Sequence, residues 1–507
     1  MRTRLLALLL SLLVLAAPAR ATWSIVVVNH RTGEVCVASA TCLAGFDLKP
    51  ALCVLRVGEG GAAAQSVVDT SGANRLAIWN ELANGTAPAD IVTLLGTQDS
   101  LHQRRQYGIV SLRAGPATFT GSQCGQARFG VSGTTGDLSY AIQGNLLTGA
   151  VVVTSAEAAL LSSSGDLPTR VMAAMLAARD MGGDGRCSCS SLLPTSCGAP
   201  PPSFTHSAAT AFLVSSRLGD TDGVCNAAQG CANGQYWCDL RVIEGPPGGL
   251  DPVVRLANDR LPFWRGSLQG RADHFLTRVT PSAERFPADG ASSITVDVEL
   301  RNLEDQGIDP FAPGLLVTSL EAVPVASPGA VTDLGRGRLR FALASTGAQG
   351  RGTFRVVVTQ GDGARVRLWP DLVIEAVAPA PLVCGRTEAG AAAGADVPLF
   401  LDAGASRAGA SYLVLGSTSG TSPGFVYQGV LWPLNRDRFL GASHRLAPGS
   451  PFVDTAGALD AQGRATARFA APPGFLAPLV GRRIDWAARV GGKPPLVTNA
   501  DGFVIVP

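Results

Sequence analysis

The spacing of apolar and polar residues separates a first half of mixed strands and helices from a second half built almost entirely of strands. A β-branched run at 23–28 and a second strand pattern at 34–40 flank a polar turn, which predicts a hairpin. Further strands are predicted at 51–57, 61–67, 107–112, 117–120, 138–143, 207–215 and 237–243. Helical spacing of apolar residues predicts helices at 74–82, from Pro88, at 155–161, at 167–181 and at 252–258. Strands and helices follow one another in blocks, which favours an α+β domain whose helices lie in layers against antiparallel sheets.

Beyond residue 266 the helical periodicity disappears. Apolar and polar side chains alternate over 294–300, and a second strand is predicted at 352–358. This pattern is typical of a β-sandwich of about 100 residues. The segment 281–290, which precedes the first of these strands, resembles the start of bacterial immunoglobulin-like domains. More strand patterns follow a Pro-rich linker at 378–381, so we predict two consecutive all-β sandwich domains.

Composition and length agree with several packed domains. Of 507 residues, 46% are hydrophobic and 16% are charged, which is ample for hydrophobic cores and too apolar for a disordered chain. At ~150 residues per domain, the length indicates about three domains. The predicted divisions are a signal peptide at 1–21, an α+β domain at 22–265, a sandwich at 271–377 and a second sandwich at 382–507.

The first 21 residues have the three parts of a secretory signal. Arg2 and Arg4 precede an apolar stretch at 5–17, and the small residues at 18–21 form an A-x-A cleavage site. We therefore expect a secreted or extracellular protein, with the periplasm or the cell surface as further possibilities, whose mature chain begins at Thr22. No later apolar run is long enough for a membrane span. Cleavage lowers Lys+Arg from 41 to 38 against 39 Asp+Glu, a balance that does not indicate a nucleic-acid partner.

Eleven cysteines fit an oxidising compartment. Six of them crowd together, at positions 187, 189, 197, 225, 231 and 238. Their spacings do not repeat as paired C-x-x-C ligands, so disulfides are favoured over zinc. Six cysteines allow fifteen pairings, and the connectivity stays open. Cys384 stands alone, either buried or free.

Other chemistries find little support in the sequence. The five histidines lie far apart, and neither a P-loop nor a dinucleotide fingerprint occurs. The segment 220–223 resembles the start of a calcium loop without its later ligands, and we interpret it as a polar turn. We expect no metal and no cofactor.

Several motifs in the first half occur in the order found in one family. They are the segments 22–27, 33–39, 64–65, 119–122, 140–147, 182–184 and 239–242. Together they resemble the domain of unknown function 1028, over about 22–265. This resemblance implies the four-layer αββα fold of the N-terminal-nucleophile (Ntn) hydrolases. The chain departs from the family pattern by two cysteine-bearing insertions, at 187–204 and between 216 and 237, which leaves any inherited substrate preference open.

The resemblance also implies a set of catalytic and binding residues. An N-terminal Thr22 offers a hydroxyl nucleophile and, in its own α-amine, a base of pKa near 8. Ser39 ends the second strand and either reaches that amine or satisfies backbone. Asn145 either donates to a developing oxyanion or completes an ordinary turn. Gln65 and Gln143 either line the substrate pocket or bridge neighbouring sheets.

Two functional hypotheses follow. The first is a secreted Ntn-type hydrolase that cleaves an amide bond with Thr22, its substrate unknown. The alternative is a non-catalytic extracellular or cell-surface binding protein that retains the fold. The expected partner is accordingly an amide-containing substrate or a cell-surface ligand, and the oligomeric state is open. Lys49, the only lysine before residue 493, is interpreted as a solvated loop residue.

Overall fold

A computed structural model describes residues 22–243, 249–363 and 365–507. The predicted signal peptide lies outside the described residues. The chain divides into two compact units, Met1–Ser267 and Leu268–Pro507. Across the described ranges, no helix is both long and apolar enough to cross a membrane.

Two antiparallel sheets form the centre of the first unit. Its strands are β1 (Thr22–Asn29), β2 (Glu34–Thr41), β3 (Cys53–Arg56), β4 (Gly60–Ser66), β5 (Arg105–Ser111), β6 (Ala117–Thr120), β7 (Phe129–Thr135), β8 (Leu138–Asn145), β9 (Thr210–Ser216) and β10 (Cys238–Ile243). Sheet A has the order β10-β9-β2-β1-β8-β7, and sheet B has the order β3-β4-β5-β6. The first strand therefore lies near the middle of sheet A, between β2 and β8.

The longer helices pack on the outer faces of the sheets, whereas the short helix Leu48–Leu52 packs between them. The helices are α1 (Leu48–Leu52), α2 (Ala73–Asn84), α3 (Pro88–Gln98), α4 (Val151–Ser162), α5 (Leu167–Asp180), α6 (Gly185–Ser188), α7 (Pro252–Arg255) and α8 (Leu261–Gly266). Trp23, Ile25 and Val27 of β1 belong to a core shared with α4 and α5. Val26 and Val28 alternate with them and pack towards sheet B. The far face of sheet B packs against α2 and α3.

Most predicted elements of this unit occur within a few residues of their expected bounds. The short helices α6 and α8 were not predicted, and two strand regions also differ. The strand predicted at 51–57 begins instead as helix α1, because the Asp47 side chain accepts a hydrogen bond from the backbone of Lys49 and caps a helical turn. Strand β7 was not predicted, since its sequence of Gly, Ser and Thr shows little apolar alternation.

The second unit is rich in strands, as the sequence predicted. Its earlier strands are β11 (Arg278–Pro281), β12 (Arg285–Pro287), β13 (Ser293–Glu299), β14 (Gly314–Ser319), β15 (Ala326–Pro328), β16 (Thr332–Gly335), β17 (Arg338–Ser345), β18 (Gly350–Thr359), β19 (Arg365–Arg367) and β20 (Leu372–Val377). Sheet C has the order β11-β13-β17-β15, with β16 on β17, and sheet D has the order β12-β20-β18-β14, with β19 on β18. The alternating buried side chains of the two sheets share one core.

The remaining strands surround another core. They are β21 (Leu382–Cys384), β22 (Glu388–Gly390), β23 (Ala395–Asp402), β24 (Ser411–Ser417), β25 (Phe425–Tyr427), β26 (Val430–Trp432), β27 (Phe452–Val453), β28 (Ala456–Ala458), β29 (Arg464–Ala471), β30 (Arg483–Val490), β31 (Leu496–Val497) and β32 (Asp501–Val506). Sheet E has the order β21-β23-β29-β27 and sheet F the order β22-β32-β30-β24-β28, with β31 on β30. Helix α9 (Arg438–Leu446) was not expected in this β region. The predicted division at 271–377 and 382–507 stays a prediction.

The cysteines form three disulfides. They join Cys42 to Cys187, Cys189 to Cys197, and Cys225 to Cys231. The prediction of disulfides in the crowded segment is therefore confirmed for five of its six cysteines. The exception, Cys238, is buried and free, and so is Cys384.

Candidate functional site

The space between sheets A and B changes from apolar to polar at one end. Its apolar part contains the valines of β1 and β2 that face sheet B. Towards the start of β1, the same faces carry uncharged polar side chains that are at most 2% exposed. We call these residues the inter-sheet polar cluster; they are Thr22, Ser24, Ser39, Gln65, Gln106, Gln143 and Asn145.

Strand register brings the cluster together. Within sheet A, Thr22 lies opposite Asn145, and Ser24 lies between Ser39 and Gln143. Within sheet B, Gln65 of β4 lies opposite Gln106 of β5. The five residues that the sequence singled out thus occupy one region, with their roles still to be tested.

Gln65 links the two sheets at Thr22. Its Nε2 atom donates to the Thr22 carbonyl oxygen at 2.9 Å and to Gln106 Oε1 at 2.8 Å. Its Oε1 atom accepts a short hydrogen bond from the Ser24 hydroxyl. Gln106 continues the link, since its Nε2 atom lies 3.0 Å from the Gly144 carbonyl oxygen of sheet A. Both glutamines therefore bridge the sheets, one of the two roles left open for Gln65.

The hydroxyl of Ser39 is hydrogen-bonded to the backbone of β1. It donates to the Trp23 carbonyl oxygen at 2.8 Å, and its oxygen lies 2.9 Å from the Ser24 hydroxyl. The Ser24 hydroxyl has a single proton, which it shares between Ser39 and Gln65. This arrangement holds the first residues of β1 in place on both sides.

Asn145 is anchored beside two residues with unusual backbone. Its Nδ2 atom donates to the Cys124 carbonyl oxygen at 3.0 Å and to Ser66 Oγ at 3.3 Å. Both amide protons are therefore engaged, so an oxyanion would have to displace one of these acceptors. Ser66 has φ 72° and Leu146 has φ 52°, in the left-handed region. Such conformations cost about 1–3 kcal/mol each and are concentrated at functional sites.

Gln143 is the member with unused hydrogen-bonding capacity. It is fully buried, and among the described residues neither its Oε1 nor its Nε2 atom has a hydrogen-bond partner. Its side chain lies against Gly108, where a Cβ atom would come within 2.0 Å of Gln143 Oε1. An unsatisfied buried amide costs about 1–3 kcal/mol per group, which makes Gln143 a candidate to bind a polar group that enters the cluster.

Cys124, whose carbonyl oxygen accepts from Asn145, does not offer a ready base. Burial raises the pKa of the Cys124 thiol and keeps it protonated. Lys49 is 3% exposed, and its Nζ atom lies 2.6 Å from Asp239 Oδ2. The interpretation of Lys49 as a solvated loop residue is therefore wrong. Its charge is paired with a carboxylate that lies far along the chain.

The Gly-Gly-Asp motif supports β1 from the helix side of sheet A. A Cβ atom at Gly183 would lie 2.5 Å from the Trp23 ring, so only glycine fits there. The fully buried Asp184 accepts from the backbone of Cys42 at 2.7 Å and pairs with Arg186 at 2.8 Å. The same segment is tied to Cys42 by the disulfide of Cys187. The first insertion is thereby fastened to the end of β2.

The turn predicted at 220–223 lies just before that segment, at 218–219, and Thr221 instead forms an isolated β-bridge with Gln235. Asp220 Oδ2 accepts from the backbone nitrogens of Arg217 and Trp237 at 2.9 and 2.8 Å. Burial raises the pKa of Asp220 to about 6. Across 22–243, 249–363 and 365–507, no group of three or more His, Cys, Asp or Glu is placed to hold a metal ion.

Comparison with known proteins supports the family resemblance for part of the chain. Residues 22–200 match the family of unknown function DUF1028. A crystal structure of a Silicibacter pomeroyi protein of that family aligns with 20% identity and a TM-score of 0.36, covering 50% of this chain and 91% of that chain. No curated protein matches this chain.

Two bacterial adhesins also align with low scores. The Yersinia pseudotuberculosis adhesin InvE has 13% identity and a TM-score of 0.17, covering 45% of this chain and 58% of that chain. The Escherichia coli adhesin FdeC has 9% identity and a TM-score of 0.19, covering 96% of this chain and 97% of that chain. The resemblance to Ntn hydrolases stays a prediction.

Proposed function

We propose that the first unit is a four-layer αββα hydrolase of the Ntn type, in which Thr22 attacks an amide bond. The observation that carries the proposal is the position of Thr22. It is the first residue of the strand near the middle of sheet A, opposite Asn145, among buried uncharged polar groups. Packing of α4 and α5 on sheet A, and of α2 and α3 on sheet B, supports the four layers.

The chemistry requires a free amine at Thr22. Cleavage after Ala21 would supply it, with an ordinary pKa near 8. At that ordinary value, part of the amine is uncharged near neutral pH and able to act as a base. The hydroxyl then attacks the amide carbonyl, the amine takes the hydroxyl proton and passes it to the leaving nitrogen, and water releases the acyl group.

Other members of the cluster have supporting roles in this proposal. Gln65 donates to the Thr22 carbonyl oxygen and thereby holds the backbone that carries the Thr22 side chain. The unused Nε2 of Gln143 can donate to the substrate oxygen as negative charge develops. Asn145 orients the turn that follows β8, through its bonds to Cys124 and Ser66.

Labelling of the exported protein with an electrophile tests the proposal. A β-lactone probe should modify wild type and Thr22→Ser, and it should fail to modify Thr22→Ala. Thr135→Ala is the matched control, because Thr135 is an exposed threonine of β7 in the same sheet. Equal labelling of wild type and Thr22→Ala, or a mature chain that begins elsewhere, would contradict the proposal.

A second candidate is a non-catalytic binding protein. The observation that favours it is the exposure of large apolar side chains in the second unit, among them the cross-strand pair Val426 and Leu431, which are 64% and 61% exposed. This candidate predicts no labelling of Thr22, together with ligand binding that Thr22→Ala leaves unchanged.

A further inference from the structure

A groove of about 490 Å³ lies in the second unit, between sheet C and sheet E. One wall carries exposed residues of β13 and β17, among them Thr295, Asp297 and Arg340. The other wall carries exposed residues of β23 and β29, among them Asp396 and Arg468. These side chains alternate with the buried ones that form the two cores, so they are available without disturbing either core.

The two walls are held at a fixed spacing. Gly385 accepts hydrogen bonds from the backbone of Glu284 and Arg285 at 2.9 and 3.0 Å. A Cβ atom at Gly385 would lie 2.6 Å from Pro398, so the close approach requires glycine. Phe400 of β23 packs into the core of sheets C and D. Because these contacts are independent of any ligand, the groove is preformed, which reduces the entropy lost on binding.

Each wall presents one arginine-carboxylate pair in the same geometry. Arg340 binds Asp297 through Nε and Nη2, at 2.6 and 2.8 Å. Arg468 binds Asp396 in the same way, with Nε at 3.0 Å. Among the described residues no hydrogen bond to either Nη1 atom is found, so each pair offers a donor beside a carboxylate acceptor. Hydroxyl-bearing residues also line the groove; they are Thr280, Ser282, Ser293, Thr295 and Thr466.

The charges of the groove select the class of ligand. Its three arginines are matched by Asp297, by Asp396 and by Glu284, which pairs with Arg386 at 2.7 Å. The two carboxylates would repel an anionic ligand, and the arginines would repel a cationic one. An arginine donor beside a carboxylate acceptor matches a neutral ligand that carries hydroxyl groups on neighbouring atoms. The volume lies within the range of small-ligand sites, about 300–1,000 Å³. We propose that this groove binds a neutral oligosaccharide of a few sugar units.

The experiment measures binding of neutral trisaccharides to the full-length exported protein by titration calorimetry. The probes are cellotriose, maltotriose and triacetylchitotriose, with trigalacturonic acid as the acidic comparison. At least one neutral probe should bind saturably, and Arg340→Gln and Arg468→Gln should each weaken its affinity about tenfold or more. Thr466→Val should weaken it without a change of charge.

Arg464→Gln provides the matched control. Arg464 pairs with Asp402 across the same two strands, with Nε at 2.9 Å, but is not part of the groove wall. The affinity of Arg464→Gln should stay within about twofold of wild type. The arginine variants of the groove should keep the wild-type melting temperature, because exposed ion pairs contribute little to stability. The proposal is overturned if no neutral probe binds, if only the acidic probe binds, or if the groove variants bind as wild type does.

Discussion

Replacement of Gln65 by leucine tests whether the inter-sheet bridge holds Thr22 in place. The change keeps a side chain of similar size and removes both the donor and the acceptor. It leaves the Thr22 carbonyl and Gln106 Oε1 without the donor they share, at 2.9 and 2.8 Å in the wild type. Each unsatisfied buried acceptor costs about 1–3 kcal/mol, and leucine regains part of that by its apolar surface. We expect a net loss of about 2–5 kcal/mol in the opening free energy of β1.

Hydrogen exchange followed by mass spectrometry measures this loss locally in the full-length protein. Amides of β1 should exchange about 30-fold faster or more in Gln65→Leu, since 1.4 kcal/mol corresponds to a factor of ten. Gln123→Leu is the control, because Gln123 is an exposed glutamine of the same unit and its change should cost less than about 0.5 kcal/mol.

The variant Gln65→Glu tests in which direction stability changes with pH. Its carboxylate would be buried among uncharged groups, so its folded pKa would be raised above the ordinary value near 4.3. The stability of Gln65→Glu should therefore fall as pH rises from that value through the folded pKa. The reasoning would be refuted if the β1 amides exchanged equally fast in Gln65→Leu and Gln123→Leu. It would also be refuted if the stability of Gln65→Glu did not depend on pH.

Three further predictions concern other parts of the first unit. Gly108→Ala should destabilise the first unit by about 1–3 kcal/mol, because the added methyl group would clash with Gln143. Gln143→Ala in the same chain should remove most of that loss, and thermal melts in which the double variant loses the sum of the two single losses would contradict the contact. Asp220 should make stability fall as pH rises from about 4 to 6, by at most about 3 kcal/mol, because burial raises its pKa to about 6; Asp220→Asn should remove this slope in urea unfolding, and an unchanged slope counts against it. Replacing Cys42 and Cys187 together by serine should cost about 2–5 kcal/mol in the same assay, and an unaltered midpoint would assign the bridge no role in stability.

The elements that the sequence predicts best are those whose burial is set locally. Strands β1 and β2 carry apolar side chains on both faces because both faces are covered, by helices on one side and sheet B on the other. Gln65 was identified because a polar residue at the end of an apolar strand is conspicuous, whereas Thr22 was identified by the predicted cleavage site and the family resemblance. The residues that pack against Thr22 and Gln65 lie far from them in the sequence, and the strand register brings these residues into contact.

The features that sequence patterns missed depend on distant partners or on short capping contacts. Lys49 resembled a loop residue because its partner Asp239 lies on β10. Gln106 was overlooked although it is a buried polar residue next to Tyr107 in a strand, the same signal that identified Gln65. Helix α9 depends on its cap, where Asp437 accepts from the backbone of Leu440 at 2.6 Å.

Tandem mass spectrometry of the exported protein after β-lactone treatment tests the central claim most directly. The account predicts a mature chain that begins at Thr22, with the added mass on that residue. A different first residue, or an N-terminal peptide that begins at Thr22 and remains unmodified while the probe is consumed elsewhere, would contradict it.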